Sequence, residues 1–322
     1  MLDLILGEKL EKISVILSVF IFHFGCVSTN TASQNPIPPN YIIRTVSTGH
    51  NFTEGPVYSH KLNHLYFSDL YSSPKTDKIF YIDLKSKKKT TWVTNSDGVN
   101  GLHFDNNGKL IAARAGKAQS VVVLDRETGK TQEFLAQSFK NLSFKAPNDI
   151  EIDKKNNVYF TDPKYRFKQQ KNKSYLISRK VYKFNQKTKV VEQLSFSFSQ
   201  PNGLVLSPDQ NDLYVADSQE NLIYKINLET NKQSVFFQNS ISSGETRGSA
   251  GVVDGLAIDL NGNLYVTGNK RITVLKPTGE VWGEILFSDK VTNCAFGGKD
   301  NRTLFVTGTH SVYSVKLLVP GA

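Results

Sequence analysis

The sequence predicts an all-β fold, a six-bladed β-propeller closed by pairing of its N- and C-terminal strands. Six segments repeat one pattern. They open on Glu54-Gly55, Asn100-Gly101, Asn148-Asp149, Asn202-Gly203, Asp254-Gly255 and Asn293-Cys294. After each pair come an apolar strand, a turn and a second apolar strand. The leading residues lie 46, 48, 54, 52 and 39 positions apart, and a period in the forties with four strands per unit is the propeller range. Finally, the 282 residues from Tyr41 to Ala322 give 47 for each of six units, which leaves no room for a second domain.

Residues 1–26 read as a signal segment. Ile13–Gly25 is an apolar run of 13 residues, too short to span a bilayer comfortably and suited to a signal-peptide core. It ends at Gly25-Cys26, and the stretch resembles a bacterial lipoprotein signal in which Cys26 becomes the lipidated first residue. Residues 27–40, rich in Ser, Thr, Asn and Pro, then form a flexible tether. The mature chain is then expected outside the cytoplasm, in the periplasm or cell envelope, with a lipid anchor as its link to a membrane; a plain cleaved signal peptide or an uncleaved anchor are the alternatives.

The domain follows at 41–322. Tyr41–Val46 (YIIRTV) is an apolar strand without a unit of its own. The sixth unit, Asn293 to about Leu318, supplies only three strands, so the early strand is expected to complete the last blade. In the second and fifth units the turns hold Asn107-Gly108 and Asn261-Gly262, a hairpin signal because both positions of such a turn favour positive φ. Strands are expected in the fifth unit at Gly255–Ile258, Asn263–Thr267, Arg271–Leu275 and Glu280–Phe287. The net charge of +10 is spread among asparagines and serines. No basic stripe interleaved with aromatics appears, which argues against nucleic acid. Cys294 lies on an apolar strand and reads as a buried small hydrophobe rather than a nucleophile.

In a propeller the innermost strand of each blade runs along the central channel, so the leading residues gather at one mouth. That ring holds Glu54, Asn100, Asn148, Asn202, Asp254 and Asn293. It offers two carboxylates and four amides, with no Cys or His. Oxygen-only ligation suits a hard cation such as Ca²⁺. Asn and Asp before Gly are also ordinary turn residues, but six in register favour the metal site. Asp69, Asp162 and Asp217 end second strands and return to the same mouth, where strand-end capping is the favoured role over orienting the amides. His103 on an inner strand is expected to pack in the core. The connections 164–180, with seven basic residues and no acid, and 238–252 open onto the mouth; a solvated charge run is the favoured reading over a lid that attracts an anionic substrate or product.

The segments EGPVYSHKLNHLYFSD, PNDIEIDKKNNVYFTDPKY, PNGLVLSPDQNDLYVADS, VDGLAIDLNGNLYV and VTNCAFGGKDNRTLFVT resemble the SMP-30/gluconolactonase/LRE-like family over nearly the whole chain after residue 45. The resemblance implies a propeller that binds one divalent cation, with Ca²⁺ first and Zn²⁺, Mn²⁺ or Mg²⁺ as alternatives. It implies that Glu54, Asn202 and Asp254 are metal ligands and that Asn148 is a ligand or substrate contact. It also gives Asp254 the acid/base role. Asn100 becomes a further substrate contact. Animal members carry an Arg two residues before the third-blade Asn; here that position is Ala146, within KAPND, and the PND form and the YFTDPKY stretch look more like bacterial gluconolactonases. The expected function is hydrolysis of a sugar-type lactone such as gluconolactone, by a monomer acting on a small molecule. A non-catalytic propeller binding a ligand or protein at the cell surface, or an esterase or phosphotriesterase on the same metal site, are the competing readings.

Overall fold

The computed structural model describes residues 34–71, 76–165, 179–194, 198–239 and 253–322. The signal segment with Cys26, the tether as far as 33, most of the basic connection and most of the 238–252 connection lie outside these residues. The described residues form 26 strands and no helix. Six four-stranded antiparallel sheets are the blades. Five follow chain order, as in the first: Thr53–Ser59, His64–Asp69, Lys78–Asp83 and Lys88–Thr94.

The sixth blade is composite. Its inner strands are Val291–Gly297, Thr303–Gly308 and Ser311–Lys316, and its outermost strand is Ile43–Thr48. Ile43 pairs with Val315 and Thr48 with Ser311. The ring therefore closes by the expected pairing, and the last blade has no bare edge on Ser311–Lys316. Packing begins earlier than Tyr41. Leu318 N–H donates to Pro36 O at 3.0 Å, and Ile37 packs with the cluster between the fifth and sixth blades, so Pro36 and Ile37 are held rather than free tether.

Six apolar clusters fill the six seams between blades. Between the first and sixth, Leu65, Phe67 and Ile82 meet Phe305 and Val312. Between the second and third, Ile111 and Val123 meet Phe160 and Phe184. Alternation along each strand sends one set of side chains to each neighbour, so every blade is stabilised by two seams.

The fifth-blade strands are Leu256–Ile258, Leu264–Gly268, Arg271–Leu275 and Val281–Leu286. The Asn-Gly turns differ from the expectation. Only Gly108 and Gly262 have positive φ, both +79°; Asn107 and Asn261 do not. A preceding aspartate explains this. Asp105 Oδ1 accepts from Asn107 N and Lys109 N, and Asp259 Oδ1 from Asn261 N and Asn263 N. That side-chain cap holds the Asn in ordinary geometry and leaves one left-handed position for Gly.

Candidate metal and active site

The leading residues are not turn residues. Glu54, Asn100, Asn202 and Asn293 lie within innermost strands, while Asn148 and Asp254 stand two residues before theirs. All six are buried. The glycine that follows has a packing reason. A Cβ on Gly101 would stand 2.7 Å from Asn148 O, and one on Gly203 2.4 Å from Asp254 O. Those glycines also donate N–H to the same carbonyls, at 2.7 and 3.0 Å. Asn148 and Asp254 are thus tied to the blade before each of them, and Gly255 N–H donates to Thr292 O of the sixth blade at 2.8 Å in the same manner.

The aspartates ending second strands act as loop clamps, the capping role. Asp69 Oδ1 accepts from Asn51 N and Phe52 N, both at 3.0 Å. Asp162 accepts from Lys145 N and Ala146 N. Asp217 accepts from Ser199 N at 2.6 Å and Gln200 N at 3.0 Å. In every case the donors precede the leading residue by three and two positions. The clamp fixes the approach of Glu54, Asn148 and Asn202 without touching their side chains. In the second blade the charges are exchanged: Arg114 ends the strand and Asp97, three before Asn100, lies 3.7 Å from it.

The electrostatics at the mouth are unfavourable without a cation. Burial holds the Glu54 carboxyl well above its usual range, and the charges of Asp254 and Asp149 push it further, with Lys290 opposing. Burial raises Asp254 to about 6, against Lys290 and a hydrogen bond from Asn202. Lys290 Nζ stands 4.0 Å from Asp254 Oδ2 and 5.1 Å from the centre of the Phe52 ring. Asn202 Nδ2 donates to Asp254 Oδ1 and to Ser218 Oγ, so the amide oxygen is left as its acceptor. Among the described residues no three His, Cys, Asp or Glu side chains gather as a metal-holding group. Amide and backbone oxygens or water would complete any cation shell, and two buried carboxylates with neighbouring amides fit a hard divalent ion.

Asp149, Lys290, Tyr165 and Ser218 were not among the residues predicted for the site. Asp149 replaces the Gly found at four of the six repeats, and that departure was a readable signal. Its carboxyl is pushed up to about 7, chiefly by burial, against hydrogen bonds from Ile150 N and Asn293. Asn293 Nδ2 reaches Asp149 Oδ2 at 3.2 Å. The Tyr165 phenol is raised by burial and by the charge of Asp254, and it bonds Ser218 and Gln200. Lys290, Tyr165 and Ser218 follow no repeat and had no such signal.

A cavity of about 500 Å³ occupies the channel beyond this ring, and of the six leading residues only Asn293 lines it. His103 faces it and is not packed in the apolar core. Its ring Nε2 is 3.4 Å from Glu151 Oε1, and its side chain is 35% exposed. Alternation along an inner strand points every second side chain into the channel rather than the core. Cys294 is buried, as expected, and burial raises its thiol far from the reactive range.

Comparison with known proteins agrees with this architecture. The family described as SMP-30/Gluconolactonase/LRE-like region matches residues 52–310. A gluconolactonase of Zymomonas mobilis is 28% identical over 291 residues, covering 85% of this chain and 81% of its own. A solved gluconolactonase of Xanthomonas campestris superposes with a TM-score of 0.75 at 20% identity, over 87% of this chain and 91% of that one. A calcium-binding regucalcin of Agrobacterium tumefaciens superposes with a TM-score of 0.71 at 17% identity, over 88% and 96%.

Proposed function

The chain belongs to the SMP-30/gluconolactonase/LRE-like family, and from that premise we propose that it is a divalent-cation-dependent lactonase. Its substrate would be a sugar-type lactone such as gluconolactone, opened to the hydroxy acid. The observation that carries the reading is the pair of buried carboxylates, Glu54 and Asp254, at one channel mouth with Asn148 and Asn202. Glu54, Asn148, Asn202 and Asp254 would hold the cation, with calcium as first candidate and Zn²⁺, Mn²⁺ or Mg²⁺ as alternatives. The gluconolactonase relative supports the chemistry and the calcium-binding regucalcin the ion.

When bound, the cation supplies Lewis-acid polarisation of the lactone carbonyl. The rest falls to the chain's own groups. Asp254 Oδ2 takes the proton of the attacking water and returns it to the leaving alkoxide, a role suited to a carboxyl whose affinity for protons lies near neutrality. Asn100 and Asn148 orient the lactone ring. Burial of the mouth keeps bulk water from competing with these contacts.

The test is a panel of sugar lactones, aryl esters and phosphotriesters, assayed with chelator-stripped protein and with Ca²⁺ restored. Lactone hydrolysis that disappears with chelator and returns with Ca²⁺ is expected. Activity on esters alone, or none that responds to a cation, overturns the proposal. We also place the mature enzyme in the bacterial cell envelope on the strength of residues 13–26; metabolic labelling with a lipid probe, lost in Cys26→Ser, tests that.

A further inference from the structure

We propose that Ser218 is a positioning residue for the cation site, setting the Asn202 amide with its oxygen free for a ligand. This rests on the reading of that site as a cation centre. Ser218 follows the clamp residue Asp217, and its backbone N–H donates to Gln200 O at 3.0 Å, two residues before Asn202. Its hydroxyl donates to Val253 O at 2.6 Å, next to Asp254. The hydroxyl has one proton, so Oγ is then an acceptor only.

That direction decides which way the amide faces. An amide oxygen turned toward Ser218 Oγ would meet a lone pair, and turned toward ionised Asp254 it would meet another. Only Nδ2 satisfies both, and it does so with Ser218 Oγ at 3.0 Å and with Asp254 Oδ1. The usual ambiguity between amide oxygen and nitrogen is resolved by the single serine proton. Tyr165 also bonds Ser218 and Gln200. One hydroxyl thereby joins the third, fourth and fifth blades beside the candidate ligands. Without it the amide gains a second orientation, with nitrogen toward the cation.

Partners that orient a metal ligand typically change affinity about 10–100-fold when lost. Isothermal titration of CaCl₂ into chelator-stripped protein tests this on wild type, Ser218→Ala and Ser218→Thr, with melting curves of the cation-free proteins alongside. We expect Ser218→Ala to weaken the calcium Kd by ~10-fold or more, Ser218→Thr to stay within a few-fold of wild type, and the cation-free melting temperatures to agree closely. Should Ser218→Ala fail to fold, Ser218→Val against Ser218→Thr gives the same comparison at equal volume. Equal Kd values for wild type and the hydroxyl-less variant overturn the inference while leaving the cation site intact. Absence of calcium binding in wild type overturns both.

Discussion

Asn293 donates its side-chain amide to Asp149, 144 positions earlier in the chain, at 3.2 Å. The two residues belong to the sixth and third blades, which face each other in a six-membered ring, so this bond crosses the channel. It brings a third buried carboxylate within electrostatic reach of the other two: the charges of Asp254 and Asp149 both raise Glu54, and that of Asp254 raises Asp149. Above pH 7 an ionised Asp149 costs the fold free energy, because burial favours its protonated form. Asp149→Asn should therefore stabilise the cation-free protein at pH 8 by ~1–3 kcal/mol, while reducing the rise in melting temperature that Ca²⁺ produces. Melting curves with and without Ca²⁺ check both signs; a larger calcium shift in the variant would refute the account.

Glu54 and Asp254 should separate binding from chemistry. Glu54→Gln keeps volume and removes one charge, so it should weaken calcium affinity by ~10-fold or more and recover part of its rate at high Ca²⁺. Asp254→Asn removes the proton carrier as well as a ligand, so added Ca²⁺ should not restore it, with a loss of at least ~10²-fold in kcat. Initial rates across a calcium series distinguish them. Equal rescue of both variants would remove the acid/base role from Asp254.

The loop clamps predict a stability effect coupled to a rate effect. Asp217 accepts four backbone N–H groups, from Ser199, Gln200, Gln219 and Glu220. Asp217→Ala leaves them without that acceptor. A cost of ~1–3 kcal/mol is expected, read as a lower denaturant midpoint with unchanged m-value. Since Ser199 and Gln200 lead directly to Asn202, kcat/KM should fall too, although Asp217 is not itself placed in the site. A variant with wild-type stability would show that water replaces the carboxylate.

The repeat made the ring legible because four strands per unit and one polar residue per unit leave their mark at a fixed period. The composite sixth blade was legible for the same reason, as a unit short of one strand. Glu54 and Asp254 stood out as the charged members of a mostly amide ring. What the repeat could not show was contact between blades: Asp149 meets Asn293 only after closure, and Ser218 meets Val253 only because two loops converge. His103 faces the channel rather than the core because a place on an inner strand does not by itself tell a seam from the channel.

Acid should weaken the first blade through Asp69. Burial alone would raise its carboxyl, but hydrogen bonds from His50, Phe52 and Asn51 outweigh that and hold it below its usual value. A depressed folded value means the contribution is complete above about pH 4 and is lost as pH falls through the folded value. Asp69→Asn should cost ~1.5–3 kcal/mol at pH 7 and progressively less as pH falls through the folded value, where wild type loses the same charge. Unfolding midpoints between pH 2 and 7 should therefore converge at the acid end; parallel curves would show that the charge of Asp69 is not what the loop requires.

The closing strand carries the final prediction. Ile43–Thr48 covers the edge of Ser311–Lys316 along five paired positions, Ile43 with Val315 through Thr48 with Ser311. Removing residues 1–48 uncovers the backbone N–H and C=O groups of that edge and takes Ile43 and Val46 from their seams. An open edge beside apolar seams recruits other strands. The truncated chain should elute as oligomers or aggregate, whereas removal of residues 1–33, which leaves Pro36, Ile37 and the closing strand in place, should give a protein with the elution volume of the ring alone. Size-exclusion chromatography with light scattering compares the two. A well-behaved ring lacking residues 1–48 would mean that the three remaining strands protect the last blade by themselves.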